Sequence, residues 1–411
     1  MVKIIDKCRI CGSRNLETVF SLKSQSLTGV FPEAENTEIT SGDVTLVKCN
    51  DKNSCGLVQL LESYDSNEMY GDSYGYRTGL NPSMESHIQG KISKIVDFCN
   101  LKNDDVVIDI GSNDATALHC YPNNVRRIGV DPTGEKFLDF YTDGIELIAD
   151  FFSKEKLDQH SADIKAKVIT SFSMYYDLED PVAFASDIAK TITNDGIWVF
   201  EQSYLPLMLE TNSFDTICHE HLEFYALKQI EFILERVDLK VIDVELNNIN
   251  GGSFSIIAAK KTGPYDQNID SINKLRKLEK KINLDSIDCF FDFRNRVKVE
   301  QDKFMHFISE ARNAGKKVFA LGASTKGNVL LQHYGLSSKD IISVGEVNPD
   351  KFGCFTPGTL IPIIPESEVL SSDPDYIVIL PWHFRDFFLS NSNLAGKKLV
   401  FPLPEFQIVK L

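Results

Sequence analysis

The sequence lacks the features that mark membrane, nucleic-acid-binding and fibrous proteins. In 411 residues, no stretch approaches the ~20 consecutive apolar residues of a membrane helix. No long basic run offsets the formal charge of −16, and no long repeat is found. Hydrophobic residues make up 43% and charged residues 25%, which is typical of globular proteins. We therefore expect two or more folded domains, with neither a nucleic acid nor a membrane as partner.

Cysteine is also scarce, with nine residues in the chain. The first residues lack the apolar core of a signal peptide, which predicts a cytoplasmic protein without a disulfide framework. Four cysteines nevertheless cluster near the N-terminus, as the close pair Cys8 and Cys11 and the wider pair Cys49 and Cys55. Zinc prefers four thiolates in a tetrahedron, so we predict a structural zinc site that stabilises a small domain. Unrelated free thiols in a small β domain are the alternative.

Glycine is sparse in the first predicted βαβ unit. The apolar run at 106–110 predicts a buried strand, Gly111 opens a turn, and the next strand, 127–131, ends in Asp131. A strand, a glycine turn, a helix and a strand ending in an acid are typical of nucleoside binding, because the acid accepts hydrogen bonds from ribose. The turn residues 112–114 are not the glycines that a dinucleotide pyrophosphate requires. This favours S-adenosylmethionine over NAD.

Further strands at 168–172 and 196–202 complete the predicted central sheet, whose carboxyl ends would face the ligands. Asp177 and Glu201 follow or end these strands and are candidates for the substrate side. The predicted cofactor-binding residues are Asp109, Gly111, Asn113, Asp131, Pro132, Asp150, Phe151, Phe152 and Ser173.

A second βαβ pattern begins after Gly315. A strand at 316–321 precedes the small-residue loop 322–328, and we expect a helix to begin at Val329. Backbone amides and Lys326 could bind a nucleotide diphosphate there, although a packing turn is the alternative. Residues 271–281 and 283–303 predict amphipathic connecting helices.

These motifs together resemble the S-adenosylmethionine-dependent sugar C-methyltransferases of deoxysugar biosynthesis, over nearly the whole chain. The segments that carry the resemblance are 8–12 (CRICG), 74–77 (YGYR), 109–114 (DIGSND), 219–221 (HEH), 251–253 (GGS), 322–328 (GASTKGN) and 380–384 (LPWHF). The resemblance implies an α/β fold in which a class I methyltransferase Rossmann-like domain lies between a zinc-binding domain and a Rossmann-like nucleotide-sugar-binding domain. The expected bounds are 1–65 for the zinc domain, 66–262 for the methyltransferase domain, 263–300 for connecting helices and 301–411 for the C-terminal domain.

The densest titratable cluster is the segment 218–225, which contains His219, Glu220 and His221. Imidazole is the natural base near neutral pH, but such a pair of histidines could also bind a metal or be structural. The resemblance implies that His221 is the base, with Glu220 and His219 as further catalytic candidates. It also places Tyr76 over the substrate as a lid or oxyanion donor.

The substrate implied by the resemblance is a nucleotide-linked 4-keto-deoxysugar, methylated at carbon 3 after enolisation. The predicted substrate-binding residues are Tyr74, Arg77, Asp177, Glu201, Ser324, Thr325, Lys326, Asn328, Glu346, Asn348 and His383. Cys218 stands where some family members have tyrosine, Asp177 near where some have histidine, and Ala115 where glycine is usual. The first two departures bear on which sugar and which atom are methylated.

Three other functions fit parts of the pattern. An O- or N-methyltransferase would need no acidic C–H bond. A non-catalytic nucleotide-sugar-binding protein would need no cofactor, and Asp109, Gly111 and Asp131 argue against it. An NAD-dependent oxidoreductase is disfavoured by the glycine-poor first turn.

Overall fold

A computed structural model describes residues 2–52, 54–69 and 77–411. Tyr74 and Tyr76, two of the predicted site residues, lie outside the described residues. Within that part of the chain, none of the helices combines the length and apolar character that crossing a membrane requires.

The N-terminal domain is a small β structure. Its elements are β1 (Lys3–Ile4), β2 (Leu16–Ser26), β3 (Ser41–Cys49), β4 (Val58–Leu60), β5 (Glu62–Ser63) and the short helix α1 (Ser66–Met69). β2, β3 and β4 form an antiparallel sheet whose edge strand is β11 (Glu223–Phe224), which comes from the middle of the chain. The segment that follows His221 is therefore part of the N-terminal sheet.

The central domain is a seven-stranded sheet. Its strands are β6 (Val106–Ile110), β7 (Arg126–Val130), β8 (Glu146–Ile148), β9 (Ala166–Phe172), β10 (Ile192–Ser203), β12 (Leu239–Asn247) and β13 (Ser253–Lys260). The order is β8-β7-β6-β9-β10-β13-β12. The first five are parallel, whereas β13 runs antiparallel to both of its neighbours.

Helices cover this sheet on both faces. They are α2 (Pro82–Cys99), α3 (Thr116–His119), α4 (Lys154–His160), α5 (Pro181–Thr191), α6 (Leu205–Glu210) and α7 (Leu227–Arg236). α2 begins where it does because the side chain of Asn81 accepts hydrogen bonds from the amides of Ser83 and Met84, and Pro82 occupies the first turn.

Two connecting helices follow, α8 (Ile269–Ile282) and α9 (Asp288–Asn313). α9 continues past the predicted end at 303, because Phe304, Phe307 and Ile308 pack into one core with the N-terminal and C-terminal sheets. The expected domain boundary at residue 300 falls inside this helix.

The C-terminal domain is a six-stranded sheet in the order β16-β15-β14-β17-β18-β19, with only the edge strand β19 antiparallel. Its elements are β14 (Val318–Leu321), α10 (Thr325–His333), β15 (Val344–Glu346), β16 (Ile363–Pro365), α11 (Glu366–Ser371), β17 (Tyr376–Ile379), α12 (Arg385–Ser390), β18 (Lys398–Phe401) and β19 (Gln407–Lys410).

The expected start of the first helix of this domain at Val329 is wrong. α10 begins at Thr325, because the hydroxyl of Ser324 accepts a hydrogen bond from the Gly327 amide at 3.2 Å and caps the helix. The small-residue loop is shorter than the sequence indicated, and Lys326 lies in the first turn of the helix.

Candidate active site

The four N-terminal cysteines come together in space. Their sulfur atoms all lie within 4.8 Å of one another, with Cys8 and Cys55 at 3.5 Å and Cys11 and Cys49 at 3.4 Å. Tetrahedral zinc with bonds of about 2.3 Å needs sulfur atoms about 3.8 Å apart, so these residues fit the metal. Four thiolates leave no open coordination position, which makes the site structural.

A large cleft lies at the carboxyl ends of β6, β7 and β9, and encloses about 1170 Å³ including its mouth. Its lining includes most of the predicted cofactor residues: Asp109, Gly111, Asn113, Asp131, Pro132, Phe151, Phe152 and Ser173. Sequence reasoning missed Thr78, Met84 and Ile88, which close the cleft from the start of α2 and the turn before it. Their residue types carry no signal for a cofactor, and only the fold brings them to the cleft.

Asp131 holds the turn that follows β6. One carboxylate oxygen accepts the Asn113 amide at 2.8 Å, and the other accepts the amide and hydroxyl of Thr133 at 2.6 Å. Gly111 adopts a φ of 75°, in the left-handed region that glycine tolerates best. The acid thus fixes the turn and faces the cleft at the same time.

Asp109 is buried beneath this turn. Burial raises the pKa of its carboxyl to about 7, although the hydroxyl of Thr170 donates a hydrogen bond to it at 2.5 Å and lowers the pKa in part. The negative charge of Asp131 raises this pKa further. Near neutral pH the cleft floor therefore carries a carboxyl group poised to ionise when a cation enters.

Three predicted site residues form ion pairs with other side chains of the protein. Asp150 is not among the residues that line the cleft, and its carboxylate pairs with Lys156 at 2.6 Å. Glu201 is buried against α2, where it contacts His87 at 2.6 Å and Lys91 at 3.2 Å. Arg77 pairs with Asp114 at 3.1 Å, at the edge of the first turn.

His221 lines a small cavity together with Tyr176, separate from the cleft. Its ring packs 4.3 Å from the ring of Tyr176, the neighbour of the cleft residue Asp177. Its Nδ1 lies 2.7 Å from the carbonyl oxygen of Thr216. A carbonyl only accepts, so Nδ1 carries the proton and Nε2 keeps its lone pair. Burial lowers the pKa of His221 to about 4, the Thr216 carbonyl raises it in part, and the charge of Lys326 lowers it further.

His219 faces a different environment. It is fully buried and packs edge-on against Tyr64 of the N-terminal domain at 4.6 Å. Burial lowers its pKa to about 4, and the groups that oppose this shift are backbone groups at Gln25 and Gly42 of β2 and β3. The two histidines of the motif therefore point into different parts of the molecule.

Glu220 lies between them and contacts the loop after β2. The hydroxyl of Thr28 donates to its carboxylate at 3.4 Å, and burial raises its pKa. Burial, together with Glu220 and Asp177, raises the pKa of the neighbouring Cys218 thiol, so Cys218 is an uncharged neighbour of the site.

The C-terminal residues divide into two groups. Lys326 and His383 reach the junction with the central domain, where the backbone turn at Gly251 contacts both. Asn328 donates to the Thr28 carbonyl oxygen at 2.8 Å, and Ser324 caps α10. Thr325, between the cap residue and Lys326, is the first residue of that helix.

Glu346 and Asn348 lie at the end of β15. One carboxylate oxygen of Glu346 accepts the amides of Val347 and Asn348 at 2.7 and 3.0 Å. The side chain of Asn348 accepts the Asp350 amide at 3.0 Å.

Sequence reasoning missed Asp215. Its side chain is fully buried and accepts a hydrogen bond from the indole of Trp382 at 2.7 Å, which links the C-terminal domain to the segment before His221. A single aspartate in an apolar stretch gives no signal, because its partner lies far away in sequence.

Comparisons with known proteins agree with this layout. Residues 8–70 match a zinc binding domain, residues 84–244 a methyltransferase domain, and residues 248–404 a C-methyltransferase C-terminal domain. The C-methyltransferase NovU of Streptomyces niveus is 24% identical over 419 residues, covering 100% of this chain and 98% of that protein.

Solved methyltransferase structures match less than half of this chain. An S-adenosylmethionine-dependent methyltransferase from Clostridium acetobutylicum has 10% identity and a TM-score of 0.34, over 43% of this chain and 92% of that one. The magnesium protoporphyrin IX methyltransferase of Synechocystis, solved with bound S-adenosylhomocysteine, has 13% identity and a TM-score of 0.34, over 46% and 90%.

The expected class I methyltransferase fold, the cofactor S-adenosylmethionine and the structural zinc are thus confirmed. Family models for a zinc binding domain, a methyltransferase domain and a C-methyltransferase C-terminal domain match successive parts of this chain, which is an S-adenosylmethionine-dependent methyltransferase.

Proposed function

We propose that this enzyme methylates carbon 3 of a nucleotide-linked 4-keto-deoxysugar, with His221 as the base. The observation that carries the proposal is the position of His221, a neutral imidazole with a fixed tautomer beside the cofactor cleft. A carbon next to a ketone is acidic enough to be deprotonated by a positioned side chain, whereas other sugar carbons are not.

The cofactor supplies a methyl group that its positive sulfonium already activates. The residues of this chain must therefore bind both reactants, exclude water and remove one proton. Asp131 is proposed to accept the ribose hydroxyls of the cofactor, and Phe151 and Phe152 to enclose its adenine. Asp177, which lies on the rim of the cleft near Tyr176 and His221, is proposed to contact the sugar.

We propose that the three residues of the histidine motif, 219–221, have different roles. His221 accepts the proton at Nε2, and Glu220 orients the segment through Thr28. His219 packs against Tyr64, so we assign it a role in docking the N-terminal domain. Tyr76 remains the proposed lid or oxyanion donor.

The nucleotide part of the substrate is proposed to lie along the C-terminal domain. Glu346 and Asn348 are candidates for the ribose or base, and His383, Ser324, Thr325, Lys326 and Asn328 for the end of the substrate that carries the keto sugar. The support is the position of Lys326, His383 and Asn328 where the C-terminal domain meets the two others.

The test is solvent deuterium exchange at carbon 3 of nucleotide 4-keto-6-deoxyhexoses, with NMR of the methylated product. We expect His221→Asn to bind the cofactor normally but to lose exchange and methyl transfer by about 10²–10⁴-fold, the usual contribution of a general base. His219→Asn, a matched change two residues away, should exchange normally once its lower stability is allowed for. Wild-type exchange rates in His221→Asn would refute the base.

A further inference from the structure

Lys326 extends from the C-terminal domain to the edge of the cofactor cleft. Its ammonium group donates a hydrogen bond to the carbonyl oxygen of Asn250. The amide nitrogen of the Asn250 side chain lies in turn 3.5 Å from the hydroxyl of Ser173, which lines the cleft. A Cβ added to Gly251 would lie 3.5 Å from the same ammonium group. Lys326 therefore lies one side chain away from the cofactor cleft.

The positive charge of Lys326 acts on the groups around the proposed base. Burial is the main cause that lowers the pKa of His221, and the charge of Lys326 lowers it further. Burial raises the pKa of Asp215, and the charge of Lys326 offsets part of that rise. Asp215 immediately precedes Thr216, whose carbonyl oxygen holds the His221 ring. The ammonium group is thus close to the base as well as to the cleft.

Two buried polar atoms at this junction have no hydrogen-bond partner within the described part of the chain. They are Oδ1 of Asp215 and Nδ1 of His383. Burying a polar atom without a partner costs about 1–3 kcal/mol, so such atoms indicate a site that a polar ligand completes.

The glycine turn before α10, by contrast, is filled by protein atoms. The ammonium group of Lys351 donates to the Ala323 carbonyl oxygen at 2.8 Å. A Cβ on Gly322 would lie 2.6 Å from a ring carbon of Pro381. Lys351 and Pro381 therefore pack closely against this turn and restrict the approach of a diphosphate to it.

A base whose pKa is held near 4 is weak, so removal of a carbon-bound proton requires strong stabilisation of the product anion. We propose that Lys326, rather than binding the diphosphate, donates a hydrogen bond to the enolate oxygen of the sugar. This inference rests on the proposed function.

The step balances as follows. Nε2 of His221 takes the proton from carbon 3, the C–H electron pair forms a double bond between carbons 3 and 4, and the π pair of the carbonyl moves onto the ketone oxygen, which Lys326 holds as an enolate. The enolate carbon then attacks the methyl group, the sulfur–methyl bond breaks with its electron pair left on sulfur, and the ketone re-forms. The proton stays on His221 until it is released to solvent.

The first measurement needs no substrate. In the full-length protein, Lys326→Met should raise the pKa of His221 measured by NMR, because a nearby positive charge is removed. The matched control is Lys351→Met, which removes another lysine of the same domain that does not act on His221. An unchanged His221 pKa in Lys326→Met would overturn the proposed proximity.

The second measurement compares exchange with nucleotide affinity. We expect Lys326→Met to slow deuterium exchange of the saturating keto sugar by about 10²–10³-fold, the usual cost of one oxyanion donor. Affinities for uridine and thymidine diphosphate should change less than about threefold. If Lys326→Met kept wild-type deuterium exchange but lost affinity for the nucleoside diphosphates, the inference would be overturned and Lys326 would be assigned to binding the diphosphate. Absence of exchange in the wild-type enzyme would instead refute the proposed function itself, and with it this inference.

Discussion

Two turns in this protein look alike in sequence and differ in structure. Each follows the first strand of a βαβ unit, each contains a glycine with positive φ, Gly111 at 75° and Gly322 at 85°, and each faces an acid that ends or follows the next strand. The first turn borders an open cleft, whereas the second is closed by Lys351 and Pro381.

The partners of the two acids explain the difference. Asp131 accepts a hydrogen bond across the sheet edge from Asn113, so it holds the turn beside the cofactor cleft. Glu346 accepts hydrogen bonds from the two residues that follow it and approaches Lys351 at 3.9 Å. Phe31, from the N-terminal domain, packs over the same Lys351. The side chains packed against a glycine turn, and not the motif alone, decide whether the turn is free to bind a nucleotide.

The largest expected effect comes from breaking the zinc site. Cys49→Ser should abolish zinc binding, and because structural zinc is worth about 10–16 kcal/mol in small domains, it should unfold the N-terminal domain. Among the described residues, Asn328 next to the second turn donates a hydrogen bond to Thr28 of that domain, whereas the cysteines of the zinc site share a hydrophobic core with Ile110 before the first turn. Hydrogen exchange should therefore rise more at 322–328 and at β11 than at 112–116, which Asp131 holds within the central domain, and cofactor affinity should be retained.

The control for this experiment is Cys289→Ser, which replaces a half-buried cysteine on α9 whose thiol donates a hydrogen bond to the Ser286 carbonyl oxygen and lies away from the zinc site. It should keep zinc, measured by elemental analysis, and wild-type exchange. Zinc-free Cys49→Ser with full protection at 322–328 would show that the N-terminal domain does not close the second turn.

A smaller effect is expected from the two acids themselves. Asp131→Asn should lower the affinity for S-adenosylmethionine by about 10–100-fold in calorimetric titrations, because a charged hydrogen bond is worth about 1.5–3 kcal/mol. Glu346→Gln should leave cofactor affinity within about twofold. Equal weakening by both changes would contradict the division between the turns.

The smallest effect is a change in protonation at the first turn. Since burial raises the pKa of Asp109 to about 7, the cationic cofactor should favour the carboxylate and release about half a proton on binding at pH 7. Calorimetry in buffers with different ionisation enthalpies measures this release, which should vanish at pH 9 and in Asp109→Asn. In the free protein, the stability from neutral Asp109 is fully present below 3.8 and is lost as pH rises through about 7. Proton uptake on binding would contradict this assignment.

Much of the architecture could be predicted because it is local. The strand at 106–110 and the strand around 168–172 are short apolar runs between polar turns, and the four cysteines bind one metal whatever the path of the chain between them. The error at the start of α10 has a local cause too. A serine cap outweighs the flexibility suggested by the small residues around Lys326.

The arrangement of the candidate active site could not be predicted, because it depends on contacts between residues that are far apart in the sequence. His219 and His221 are equivalent by residue type and spacing, yet one packs on Tyr64 and the other beside Tyr176. No periodicity distinguishes them, because the difference arises where β11 joins the N-terminal sheet.

By itself, the sequence determined the cysteine cluster, the strand and turn pattern of both α/β sheets and the preference for a cofactor without phosphate. These follow from residue type and short spacing, which act through local backbone geometry and metal chemistry. Only the tertiary structure decided which glycine turn stays open, which histidine keeps a free lone pair and where the charge of Lys326 acts. Each of these depends on burial and on partners far away in sequence, and neither is encoded near the residue concerned.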